Sequence, residues 1–137
     1  MLGELVFEST GKITSQRVLS VENGVPRFEI SVKGTGILRG ITEVTETWTY
    51  WNMPMSEGVT YGEGRGVLIT INGSEMATGS GRGIGKATSL GKTRWSGEIF
   101  YSTDSKNKLA FLNNMIGINE DEVDTSGSYV HKLWEWK

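Results

Sequence analysis

Five ionised side chains carry the chemistry that this sequence suggests: Arg17, Glu43, Glu63, Arg65 and Arg82. If Asn72-Gly73 is a two-residue turn, Glu63 stands directly opposite Arg82. Arg65 is then one level away, on the face that also holds Val67, Ile69, Met76 and Ile84. Buried charges cost several kcal/mol each unless paired. Paired inside a barrel, this set would grip a carboxylate or polarise a carbonyl, and Glu63 or Glu43 would serve as general base. Arg17, Arg65 and Arg82 would hold the polar end of a ligand, with Trp51, Tyr61, Trp95 and Tyr101 as walls. The plainer reading is a cross-strand ion pair exposed at the rim, worth about 0.2–1 kcal/mol, with the aromatics as ordinary core.

Other motifs carry less. His131 is the only histidine, so a Ser-His-Asp arrangement would have to use it, and no nucleophile elbow accompanies it. A strand histidine near a chain end is more often a surface or structural group. Gly79 to Thr88, GSGRGIGKAT, has the look of a phosphate loop but fails its spacing. Ser80 falls where the first Gly belongs, and Ala87 where Ser or Thr belongs. The run Glu120-Asp121-Glu122, with Asp124, lacks the ligand spacing of a calcium loop and reads as a solvated acidic connector. No metal or cofactor is expected.

These residues sit on strands. VTYGEGRGVLITI, Asn72-Gly73 and SEMATGSGRGIGKA form a hairpin pattern, with Gly66/Gly79, Gly64/Gly81 and Gly62/Gly83 opposed. One face of that ribbon is bare backbone, against which an aromatic ring can lie flat. Leu5 to Glu22 turns at Asn23-Gly24 and returns over Pro26 to Leu38. Constant register there sets Leu19 opposite Phe28, Arg17 opposite Ile30 and Ile13 opposite Gly34. A turn at Arg39-Gly40, with Leu38 opposite Ile41, would bury Glu43 and Trp51 and leave Trp48 and Tyr50 outside. A second copy of the chain would then cover those two rings, so a homo-oligomer is expected. A one-residue slip reverses these faces. Met53 to Gly58 reads as a loop broken by Pro54, Thr93 to Thr103 as a strand, and Leu109 to Leu112 as a strand or one helical turn. Asn113 to Asp124 reads as a connector. Thr125 to Trp136 is the last strand, with Tyr129, His131 and Leu133 on one side. The pattern is an all-β, antiparallel meander closed into a seven- to eight-stranded barrel, one domain over residues 1–137.

Composition agrees. The chain is 36% apolar and 22% charged, within the globular range. A net charge of −2 without a basic stripe argues against a nucleic-acid partner. There is no Cys, which excludes disulfides and thiol chemistry and fits a reducing cytoplasm. MLGELVFEST has neither the cationic start nor the apolar run of a signal peptide, and no stretch approaches a transmembrane helix, so no membrane partner is expected. With 19 Gly but only 2 Pro, the excess glycine indicates strongly curved sheet rather than linker.

The segment YGEGRGVLITINGSEMATGSGRGIG, followed by TRWSGEIFYST, LAFLNN and SGSYVHKLWEWK, resembles small bacterial and archaeal proteins of the allene-oxide-cyclase-like barrel group. The resemblance runs from Phe28 to the C-terminus. It implies a calycin-like, eight-stranded antiparallel barrel with a central cavity, often dimeric or trimeric. The plant cyclases of that group steer ring closure of a fatty-acid epoxide, but no cyclase motif residue falls on a position here. Dirigent proteins, similar in fold, orient radicals instead. The expected function is binding of a small, largely apolar or carboxylated molecule inside the barrel. The alternatives are a cyclase or isomerase acting on such a molecule and a structural oligomer.

Overall fold

Small or apolar residues alternate with polar ones through eight strands, and that alternation closes the sheet on itself. The computed structural model describes the whole chain, Met1 to Lys137. The strands are β1 (Leu2–Glu22), β2 (Val25–Leu38), β3 (Thr42–Ser56), β4 (Val59–Thr70), β5 (Met76–Ala87), β6 (Thr93–Ser102), β7 (Ile116–Val123) and β8 (Ser128–Trp136). Each pairs antiparallel with the next, and β8 returns to β1 to complete the barrel. No helix is long and apolar enough to cross a membrane.

One end of the barrel is solid. Phe7, Leu38, Val44, Leu68, Ala77 and Leu133 pack there with Tyr101. Leu109 and Leu112, on and beside a short 3-10 helix (Ala110–Asn114), add to that packing. The Glu75 carboxylate tethers this segment, accepting from the Leu109 N–H at 3.0 Å and from the Ser105 hydroxyl. The other half is looser, with Ile30, Val32 and Tyr129 at its centre and Ile13, Phe28 and Val123 around them.

Turn chemistry decides which side chains enter. Asn23-Gly24 is the expected two-residue turn, with φ of 52° and 77°. The β4–β5 register is also as expected, Glu63 facing Arg82 and Gly64 facing Gly81. Its turn differs: only Gly73 has positive φ, 75°, and the loop spans Ile71 to Ser74. Asn72 works through its side chain, whose Oδ1 accepts from the Ser74 N–H at 3.0 Å and from the Thr70 hydroxyl at 2.9 Å. A four-residue loop shares the midpoint of a two-residue one, so the register is unchanged.

Three irregularities overturn the expected faces elsewhere. β-bulges between Ile13 and Ser15 and between Val18 and Ser20 each slip the β1–β2 register by one. Arg17 therefore faces Glu29 rather than Ile30, and Ile13 faces Val32 rather than Gly34. At Arg39-Gly40, φ is 49° and 71°, but Ile41 is left over after the turn and Leu38 pairs with Thr42. That single residue reverses β3. Glu43 and Trp51 turn outward, while Glu46, Trp48, Tyr50 and Asn52 turn inward. The strand continues through Pro54 to Ser56, and the expected connector after Asn113 contains β7.

The glycine face of β4–β5 points into the barrel, and its charged face points out. The glycines are filled by rings from other strands. A Cβ at Gly66 would lie 2.6 Å from Trp48 Cγ, and one at Gly85 would lie 2.7 Å from Trp95 Cε2. Trp48 also reaches Gly79, and Trp95 reaches Gly62. Gly66→Ala should therefore cost about 1–3 kcal/mol through overpacking. Made together with Trp48→Leu, the same change should cost less than half as much in urea unfolding. Strictly additive losses would show that the indole does not rest on Gly66.

Candidate functional site

The lumen of the looser half holds a cavity of about 120 Å³. Trp48, Tyr50 and Trp95 form its aromatic wall, with Ile13, Val32, Ile99 and Val123. Glu46, Asn119, Asp121, Tyr129 and His131 form its polar wall. Glu63, Arg82, Ser96 and Glu98 border the cavity beside Gly62, Gly64, Gly81 and Gly83, where strand alternation leaves backbone inside and sends their side chains out.

The polar wall forms two hydrogen-bonded groups. Tyr129 donates its hydroxyl to Glu46 Oε2 at 2.8 Å. This phenol reaches Glu46 by lying over Gly11 and Gly34, where any Cβ would displace it. Asp121 and His131 are cross-strand partners on β7 and β8, and His131 Nδ1 lies 2.6 Å from Asp121 Oδ1. Asn119 donates to the same oxygen at 3.2 Å. His131 is only 5% exposed, packs edge-on against Phe7 and lines the cavity, and its Nε2 has no hydrogen-bond partner in the protein. Ser9 stands opposite His131 on β1, but its hydroxyl is wholly buried and outside the cavity lining, which does not suit a nucleophile.

Burial alone would pull the His131 pKa down. Attraction to the Asp121 carboxylate, their hydrogen bond and the Glu46 charge outweigh it, and the net shift is upward. Burial pushes Tyr50 up to about 12, with help from the Asp121 charge. Burial likewise raises Tyr101 and Tyr129, with help from Glu46 and Asp121.

Of the residues expected to form a site, only Trp95 lines the lumen with its side chain. Arg17 is paired outside with Glu29 at 2.8 Å and its side chain is 70% exposed. Arg65 and Glu43 are exposed. Trp51, Tyr61, Glu63 and Arg82 do come together, but on the outer surface. Tyr61 donates to Glu63 at 2.6 Å, Trp51 packs against Tyr61 with ring centroids 5.6 Å apart and planes tilted by 58°, and Arg27 lies over Trp51 at 4.7 Å. Arg82 pairs with Glu98 at 2.9 Å rather than with Glu63, its strand partner on the other side. Glu63, Arg65 and Arg82 thus border a groove on the outer surface rather than reaching into the lumen. The correction follows from the glycine face being the inward one.

The residues missed are Glu46, Asn119, Asp121, Tyr129 and the inward role of Tyr50. Asn119-x-Asp121-x-Val123 alternates with Glu120 and Glu122, which pair outside with Arg94 at 3.1 Å and Lys92 at 3.7 Å. That alternation was the available signal.

The fold and lumen define an eight-stranded antiparallel β-barrel protein. No protein-family model matches the sequence, and no curated protein matches it. Solved structures share the fold, among them three bacterial proteins. One is a protein of unknown function from Clostridium acetobutylicum ATCC 824, with TM-score 0.81 and 12% identity over 98% of each chain. Another is a conserved protein of unknown function from Rhodopseudomonas palustris, with TM-score 0.80 and 14% identity, covering 98% of this chain and 97% of that one. The third is a β-barrel-like protein from Acinetobacter baumannii AYE, with TM-score 0.81 and 13% identity, covering 100% of this chain and 96% of that one. At these identities the likeness is one of fold.

The raised His131 pKa sets a pH dependence. Its stabilisation is complete below the ordinary histidine value of about 6.5 and is lost as pH rises through the higher folded value. Urea unfolding should show stability falling as pH rises above the ordinary histidine value of about 6.5, and that fall should vanish in His131→Gln. Stability that holds level or rises above that value in the unmodified protein would contradict the dyad. A second loss should begin above the ordinary tyrosine value of about 10, as Tyr50 and the other raised phenols ionise.

Proposed function

We propose that this protein binds a small molecule inside the barrel, between the Trp48 and Trp95 rings and the Glu46/Asp121/His131 pole. The supporting observation is the cavity itself. Eight-stranded barrels are commonly filled by side chains or left with room for one small ligand. This one is filled at one end and hollow at the other. Its 120 Å³ approaches the ~150 Å³ of an engineered cavity that takes up benzene, and lies below the roughly 300–1,000 Å³ of drug-sized pockets. The ligand is therefore compact, and a long fatty-acid chain of the cyclase type does not fit. A carboxylated ligand would need an inward arginine, and Arg17, Arg65 and Arg82 all project outward.

Native mass spectrometry of the purified protein should show a bound small molecule. Val123→Phe, which fills the cavity, should remove it without unfolding the barrel. A ligand retained in Val123→Phe would place binding elsewhere.

A second reading, general acid–base catalysis of the isomerase kind, is favoured by the His131–Asp121 pair with its free Nε2. In D₂O, a catalyst would exchange a carbon-bound proton of the bound molecule for deuterium, and His131→Gln would stop it. No exchange with either protein would leave binding alone. The structural-oligomer reading loses its stated support, because Trp48 and Tyr50 are inside.

A further inference from the structure

We infer that the molecule held in the lumen is a small organic cation, a quaternary ammonium or protonated amine group. This rests on the interior-binding reading above and adds the chemical class. Two independent features of the lumen point the same way.

The first is the presentation of the rings. Trp48 lies flat on Gly66 and Trp95 lies flat on Gly85. Each indole therefore has wall backbone against it, and both rings line the cavity, with Tyr101 T-shaped to Trp48 at 6.2 Å. Tyr50 stands edge-on to Trp95, with ring centroids 6.2 Å apart. Aromatic faces carry the negative part of the ring quadrupole, and indole is the best of them for holding a cation.

The second is the sign of the charge. Glu46 and Asp121 face the cavity, and Arg82, the one Lys or Arg that borders it, sends its guanidinium outward to Glu98. The one inward base, His131, is already engaged by Asp121. With His131 protonated, the lumen groups sum to one negative charge; with it neutral, to two. An anion would meet both repulsion and the electron-rich ring faces. A neutral molecule would gain only shape and hydrogen bonds. A cation would gain from both features, and a trimethylammonium group is compact enough for a cavity of this size.

The test compares three probes of one shape: choline, its neutral isostere 3,3-dimethyl-1-butanol, and the anion 3,3-dimethylbutanoate. Each is titrated into the full chain and followed through the backbone amide resonances of Gly62, Gly64, Gly81 and Gly83. Choline should bind at least about tenfold more tightly than the alcohol, and the anion least. Glu46→Gln, which keeps an acceptor for Tyr129, should narrow the gap between choline and the alcohol. Equal or tighter binding of the alcohol would overturn the cationic class while leaving interior binding in place. Binding of choline that Val123→Phe does not weaken would place it outside the lumen and overturn the inference. If none of the three binds, the inference also falls, while a co-purified ligand lost in Val123→Phe would still uphold interior binding.

Discussion

An indole ring resting on glycine backbone is the contact on which this barrel depends. Glycines at successive levels of β4 and β5 strip side chains from one side of the lumen. Trp48 on β3 and Trp95 on β6, the direct cross-strand partners of Gly66 and Gly85, lean over and take the vacated space. Interiors pack at near-crystalline density, so bulky residues at both positions of such a cross-strand pair would leave no room for an indole to lie over. Glycine at one position of the pair lets its neighbour carry the largest side chain available. Because flat rings fill slots rather than spheres, the fit leaves residual space in the looser half, and that space is the cavity.

How much of this is visible in the sequence depends on what holds each register. The central hairpin was legible because its loop, although longer than expected, is symmetric about the same midpoint. The order of strands and the closure were legible from alternation and turn spacing. The faces of β1 and β3 were not. They turn on two bulges and on Ile41, and a bulge needs no distinctive residue. The clue was indirect: constant register put Arg17 on an apolar face, and the bulges remove that conflict by setting it against Glu29. The same holds for Trp48 and Tyr50, whose inward setting turns on the unpaired Ile41.

The site shows the cost of choosing the wrong face. Charge pairs such as Glu63 and Arg82 attract notice because they are opposite and complementary, yet complementary pairs are what an outer ladder normally carries. The inward polar groups are less conspicuous. Glu46 sits among threonines three residues beyond the outward Glu43, and Asp121 is hidden in a run of acids that point alternately out and in. Buried carboxylates persist only where donors satisfy them. Tyr129 does this for Glu46, and His131 with Asn119 does it for Asp121. This arrangement leaves one imidazole nitrogen unengaged and two indole rings lining a small hollow, which makes the lumen, rather than the outer groove, the place to look for function.

The most direct measurement is the solution chemical shift of the glycine α-protons that face the lumen. Protons held against the face of an indole are displaced strongly upfield by its ring current. The account predicts large upfield displacements at Gly66 and Gly85, with contacts from Gly66 to the Trp48 ring and from Gly85 to the Trp95 ring. Ordinary shifts at both glycines, without those contacts, would contradict it.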